Sequence, residues 1–414
     1  MKQNKYAMKF GHKHVRIVLM TAVGIFLLFA SADSTRGVSS LTSVLRHADK
    51  PQSVASVASQ SPSDDQNYIQ RGDWETPDIL LLVENEEWQN SIEVIVAASL
   101  QDRIPPYILT HRYDGEEPSV EQLRKEWRRR HLRVFYDTPW IRDYGPLQIK
   151  TTGNTVQWMD FGYAQDRPRD DSVPQQLAEY MELPIEYGDY YLEGGSVISN
   201  GRGLCAITDV SVEKAQVDPS SPEDIASFRK ILGCSALAIL PALTGESTSH
   251  ADIIAQFLSA ETVAVSSVTP DVSYEVSFEL DEAVEKILSA ARSIGQNLRI
   301  IRVPMYVDGP DFYSYVNGTR LRNSYLLPSF ENVPPEIQKA AYHAVTSALK
   351  GARLVPVPAD SMALNGGAVH CITLGLSLPR PAGTLQHRVQ GKGIDFFYSR
   401  LVVKRAHSSR NLNK

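Results

Sequence analysis

The chain has 414 residues, 43% hydrophobic and 22% charged, with three cysteines and a formal net charge of −6 at pH 7. The apolar content suffices for a large core, and an acidic balance without a basic stripe speaks against nucleic acid as a partner. No Cys/His set has zinc-ligand spacing, so no metal is expected. In chain order, residues 1–32 read as a signal peptide. Lys2, Lys5, Lys9, Lys13 and Arg16 come without an acid, an apolar run extends from Ile17 to Ala30, and Ala30-Ser31-Ala32 follows. That run, about 14 residues, is shorter than the roughly 20 that cross a bilayer, so cleavage near Ala32 and secretion are expected rather than an uncleaved anchor.

Residues 33–66 contain no aromatic and repeat Ser53-Val-Ala-Ser-Val-Ala-Ser59, the composition of a flexible linker. Residues 67–378 carry most of the aromatics and form the expected catalytic domain, and residues 379–414 are a short basic extension. Within the domain, β-like runs at Ile79–Val83, Arg133–Tyr136, Leu298–Val303 and Arg353–Val357 alternate with helical patterns. The helical patterns fall at Val120–Arg130, Glu223–Leu232, Leu280–Gly295 and Pro335–Lys350. The fold class is α/β throughout. Glu193-Gly-Gly-Ser-Val197 and Asn365-Gly-Gly-Ala-Val369 share one pattern, which hints at an internal repeat.

Cys371 follows the Gly366-Gly367 step, where small residues let a substrate approach the backbone. Cys205 and Cys234 could pair and leave it as the odd thiol, which makes it the best nucleophile candidate. Asp143 lies in Trp140-Ile-Arg-Asp-Tyr-Gly-Pro146, either as a carboxylate held in an apolar wall or as a turn residue paired with Arg142. His250 and Asp252 share a face if their segment is a strand; alternatively Ser249 caps a helix there. Asn317 belongs to the sequon Asn317-Gly-Thr319, whose plain reading is a glycosylated surface loop. His370, adjacent to Cys371, would point to the opposite face of a strand, in a packing or supporting role.

Trp140-Ile-Arg-Asp-Tyr-Gly-Pro146, Glu193-Gly-Gly195, His250-Ala-Asp252, Ser314-Tyr-Val-Asn317 and Gly366-Gly-Ala-Val-His-Cys-Ile-Thr373 occur in this order. From about Trp74 to Ser377 the chain thereby resembles the bacterial-type peptidylarginine deiminase and agmatine deiminase family of guanidino-group-modifying enzymes. The resemblance implies a pseudo-fivefold α/β propeller (pentein) of ββαβ-type modules around a central active site. It implies Cys371 as nucleophile, His250 as acid and base, Asp143 and Asp252 as the guanidinium clamp, Asn317 as an orienting residue and Glu193 as a structural support. It also implies that the Asn317 sequon is buried and unused. Relatives often carry Gly directly before the histidine, whereas Ser249 stands here, so the local backbone is expected to differ.

The stretch Asp160 to Asp171 resembles the peptidyl-arginine subgroup, in which Arg167 and Arg169 would bind the free carboxylate of a C-terminal arginine. Alternatively, the two balance Asp166, Asp170 and Asp171 on a solvated loop. The expected substrate is an arginine-containing peptide or protein, with agmatine or free arginine as alternatives and Trp140 beside the substrate. An inactive binding protein on the same fold is the alternative of another class. A papain-like protease fits poorly, because His250 precedes Cys371 and the carboxylate pair would lack a purpose.

Overall fold

The computed structural model describes residues 68–113, 125–126, 129–151, 155–181, 183–349 and 351–378. The expected signal peptide and linker, most of the helix expected at Val120–Arg130 and the basic extension lie outside the described residues.

Among the described residues, five sheets repeat one connectivity: a first strand runs antiparallel to a second, which pairs in parallel with a third across a helical crossover. In one sheet these are Leu147–Lys150, Val156–Gly162 and Ile185–Tyr191. The next are Val197–Ser199, Leu204–Thr208 and Ala236–Leu240, then Ala255–Ser259, Thr262–Ser267 and Arg299–Pro304. Thr319–Arg320, Ser324–Ser329 and Arg353–Pro358 follow. The remaining sheet takes its first strand, Leu374–Leu376, from the far end of the chain, beside Ile79–Val83 and Pro106–His111. Its edge is extended by His131–Val134.

The middle strands show why the sequence yields this layout. Ile79–Val83 and Leu204–Thr208 are buried along their whole length, as expected for strands covered on both faces. The crossover helices bury one stripe each. Tyr274–Ser293 places Val276, Leu280, Ala283, Ile287 and Ala291 inside. It begins six residues before the expected Leu280 because Ser273 accepts a hydrogen bond from the Val276 N–H and caps it, while exposed Tyr274 and Phe278 hide the periodicity. The helices Pro222–Ile231 and Pro335–Ala348 fall where the periodicity puts them. No helix among the described residues is long and apolar enough to cross a membrane.

Cys205 and Cys234 are disulfide-bonded, with Cα atoms 5.8 Å apart. Parallel pairing of Cys205 with Leu237 brings the two thiols together, because Cys234 ends the turn that feeds that neighbouring strand. Cys371 is thereby left as the free thiol, and it is buried.

Candidate active site

Each first strand is preceded by a tight turn, and the candidate residues sit on these five turns. Asp143 belongs to the short helix Ile141–Tyr144, ahead of Leu147. Glu193 opens a single 3₁₀ turn, Gly194–Ser196, that leads straight into Val197. His250 stands at the N-cap of the helix Ala251–Ile254, with Asp252 in its first turn. Asn317 precedes Thr319, and Cys371 precedes Leu374.

Several expectations from the sequence differ from the structure. His250 and Asp252 do not alternate along a strand; the helical turn brings them to one site. Ser249 does not cap that helix either. It adopts φ 61°, the left-handed conformation that glycine favours, and its N–H is held by Glu246 Oε2 at 2.6 Å. The serine thus keeps a glycine-like backbone, at a strain that the Glu246 contact offsets. His370 is likewise in a turn rather than a strand, so it does not face away: its Nδ1 lies 2.8 Å from Asp252 Oδ2.

Around the thiol the contacts are close. Asn317 Nδ2 donates to Cys371 Sγ at 3.3 Å, and Asp252 Oδ2 lies 3.7 Å from the sulfur. Asn317 is fully buried, so a glycan has no room on it. His250 Nε2 lies 2.8 Å from Glu193 Oε2, and its Nδ1 lies 3.5 Å from Asp143 Oδ1. Asp143 Oδ1 also accepts the Gly195 N–H at 3.2 Å. Asp252 Oδ1 is buried with no hydrogen-bond partner. An unmatched carboxylate oxygen beside a thiol needs a donor, and a planar cation supplies several.

Electrostatics follow from this burial. Desolvation raises the Asp143 carboxyl to about 7; His250 opposes the rise, and Asp252 and Glu193 add to it. Burial alone would lower His250, but Asp143, the Glu193 hydrogen bond and Asp252 outweigh it and raise the imidazole to about 9. Glu193 is lowered to about 2: desolvation pushes it up, and His250 and Lys214 pull it further down. Burial and the Asp252 and Asp143 charges push the Cys371 thiol well above its ordinary range, with Asn317 and the Ala368 N–H opposing. The resting site therefore holds an imidazolium, ionised Glu193 and a neutral thiol.

A pocket of about 280 Å³ opens above these groups, and Trp140, Asp143, Arg167, Glu193, His250 and Cys371 are among its lining residues. The Trp140 ring packs against Trp88 at 4.9 Å and leaves room only for a glycine at 367, where a Cβ would stand 2.6 Å from the ring.

The family model for the Porphyromonas-type peptidyl-arginine deiminases matches residues 82–376. The chain belongs to this family. Its members are deiminases, hydrolases of amidine C–N bonds. The agmatine deiminase of Pseudomonas aeruginosa (strain LESB58) is 24% identical over 293 residues, 61% of this chain and 78% of that one. Among solved structures, an agmatine deiminase of C. jejuni superposes with TM-score 0.62 at 16% identity, covering 77% of this chain and 98% of that chain. The Enterococcus faecalis agmatine deiminase gives 0.61 at 18%, with 75% and 96% covered. At these identities the structures establish the shared α/β fold of mixed sheets.

Of the two candidate carboxylate-binding arginines of this deiminase, only Arg167 lines the pocket, where its Nη1 donates to the Tyr163 hydroxyl at 3.1 Å. Arg169 does not line it; its backbone N–H donates to Asp137 Oδ2 at 3.0 Å. The charges of Asp166 and Asp170 do act on Arg167, and the acids also hold backbone. Asp170 accepts the N–H groups of Asp137 and Thr138 and the Thr138 hydroxyl, and Asp171 accepts the Tyr163 N–H. Sequence reasoning missed Tyr163, Lys214 and Asp73. Lys214 reaches Glu193 Oε2 at 3.5 Å from the end of a six-residue helix, and nothing in its surrounding sequence marks it.

Proposed function

We propose that the protein hydrolyses the guanidinium of a C-terminal arginine residue, giving citrulline and ammonia. The observation that carries this is the free thiol of Cys371 on one pocket with Asp143 and Arg167, and the buried, half-unpartnered carboxylate of Asp252 3.7 Å behind the sulfur. Asp143 and Asp252 clamp the planar cation, and its central carbon is presented to Cys371. The substrate's positive charge, together with the His250 imidazolium, offsets the carboxylate field that raises the thiol, so Cys371 releases its proton to solvent as the cation binds and attacks as the thiolate; the proton is regained when the sulfur is freed. The S–C bond forms, His250 gives its proton to the departing ammonia, and a thiouronium remains on Cys371. Neutral His250 then takes a proton from the attacking water; collapse breaks the S–C bond, and the ureido product leaves. Asn317 orients the sulfur. The five repeated modules are taken to stand around this centre as a propeller.

Arg167 favours a substrate whose distal end is anionic, since agmatine would place a second cation near it. Agmatine remains the alternative, favoured by what the relatives are named for. Turnover of a peptide ending in arginine, of its C-terminal amide and of agmatine separates them. The free-carboxylate peptide is expected to be preferred, and Arg167→Ala to reduce that preference about tenfold to a hundredfold. A faster reaction with agmatine would replace this reading by agmatine deiminase; no ureido product from any of the three would favour a binding protein.

Secretion is part of the same proposal, supported by the N-terminal sequence and by the Cys205–Cys234 disulfide, which suits an oxidising compartment. Trypsin-accessible chain in the medium, lacking residues near 1–32 by mass, is the expected finding, and retention in the cell would contradict it.

The pH dependence has a definite sign. Asp143 must be ionised to hold the cation, so kcat/KM rises through about 7. His250 must carry its proton to release ammonia, so kcat/KM falls through about 9. Because the two groups face each other, the limbs belong to the pair. A profile still rising at pH 10 would remove His250 as the acid. The His250–Glu193 contact also affects stability. Glu193's share is present above its ordinary 4.5 and lost as pH falls towards about 2. His250's share is present below 6.5 and lost as pH rises through about 9.

A further inference from the structure

Asp252 is held from behind by groups the reaction does not consume. His370 Nδ1 meets Asp252 Oδ2 at 2.8 Å, and its Nε2, buried without a hydrogen bond, lies 3.7 Å from Asp73 Oδ1, within reach of that carboxylate's charge only. Asp73 is in turn gripped by Arg142, whose Nη1 donates to Asp73 Oδ1 at 3.2 Å. All these groups are buried or nearly so, and the His370 N–H is anchored on Asn317 Oδ1 at 3.1 Å. Asp73 lies ahead of residues 82–376, outside the part of the chain that the family model matches.

A carboxylate fully inside the protein, with one oxygen unpartnered, needs its other oxygen fixed if the free one is to point at a substrate. We propose that His370, held between Asp252 and Asp73, is a positioning residue for guanidinium recognition. Its Nδ1–H fixes Asp252 Oδ2 and leaves Oδ1 for the substrate. Asp73 and Arg142 complete the support from the N-terminal side. The inference rests on the guanidinium-clamp reading above. Direction of charge agrees with it. Burial and Arg142 lower the His370 imidazole, yet the Asp252 and Asp73 contacts raise it overall. Asp73 is held below the ordinary carboxylate range: burial raises it, and His370, Arg142 and Arg71 outweigh that. A histidine that merely packed would have no need of paired acids on opposite sides.

The test uses the full chain and two reagents that alkylate Cys371, the sulfur displacing chloride from either. 2-Chloroacetamidine is a planar cation that needs the carboxylate clamp, and 2-chloroacetamide is its neutral counterpart. The wild type is expected to favour the cation strongly. His370→Ala should lower that preference roughly tenfold to a hundredfold while the neutral rate stays within a few fold. His370→Asn, which keeps a donor near the Nδ1 position, should recover part of it, and Asp73→Asn should show a smaller loss. An unchanged preference in His370→Ala and Asp73→Asn overturns the proposal. If His370→Ala fails to fold, an unchanged preference in Asp73→Asn alone overturns it. A wild type that shows no preference for the cation removes the clamp reading itself, and this inference with it.

Discussion

Replacing Cys371 by alanine is expected to abolish ureido-product formation, by on the order of 10⁴-fold or more, because the sulfur is the atom that forms and breaks the covalent bond. The fold should survive. Cys371 is buried, but its side chain is small and its donors are only the Asn317 amide and the Ala368 N–H, so the loss of stability should be about 1 kcal/mol. Asp143, Asp252 and Asn317 remain in place, so the variant should still bind substrate and melt at a higher temperature in its presence. Product formation by mass spectrometry and thermal unfolding with and without substrate check both halves. Turnover near the wild-type rate would exclude the covalent route, since no other free cysteine lies in the chain.

Much of the site was legible because its residues are chemically unusual for their neighbourhoods: a thiol behind a Gly-Gly step, and Asp143 flanked by aromatics. The strands were legible for the reason that makes them central, since runs such as Ile79–Val83 are apolar on both faces. The repeat was legible only in outline. Gly194-Gly195-Ser196-Val197 leads directly into its strand, whereas Gly366-Gly367-Ala368-Val369 stands well before Leu374–Leu376, so the matching letters occupy different places in their modules. What repeats is the hairpin followed by a parallel crossover, a pattern of backbone pairing that leaves no common motif. The direction of His370 and the geometry of His250 and Asp252 were not legible. Both depend on whether a short segment is a strand or a turn, and a few residues of period cannot decide that. Asp73 and Lys214 reach the site only through tertiary contacts with residues far along the chain.

Gly195→Ala is expected to lower kcat/KM by about a hundredfold or more, although position 195 touches no reacting atom. A Cβ there would stand 2.6 Å from Asp143 Oδ1 and 2.7 Å from His250 Nδ1, closer than carbon approaches either at rest, and 3.2 Å from Asp252 Oδ2, a tight contact. None of the three can swing clear. His250 is held by Glu193 at 2.8 Å, Asp252 by His370 at 2.8 Å, and Asp143 by the Gly195 N–H itself. The methyl group must therefore spread the clamp. A displacement near 1 Å in a positioned site costs about a hundredfold, with about 1–3 kcal/mol of stability lost to overpacking. Gly194→Ala makes a useful contrast, because its Cβ would meet the Arg142 carbonyl oxygen at 2.1 Å. Backbone cannot yield as side chains can, so that variant should lose stability first and activity as a consequence. Kinetics and thermal unfolding of the pair separate the two effects. Should Gly195→Ala retain activity within threefold of the wild type, the three side chains would not be acting on one bound group, and the clamp would have to be sought elsewhere.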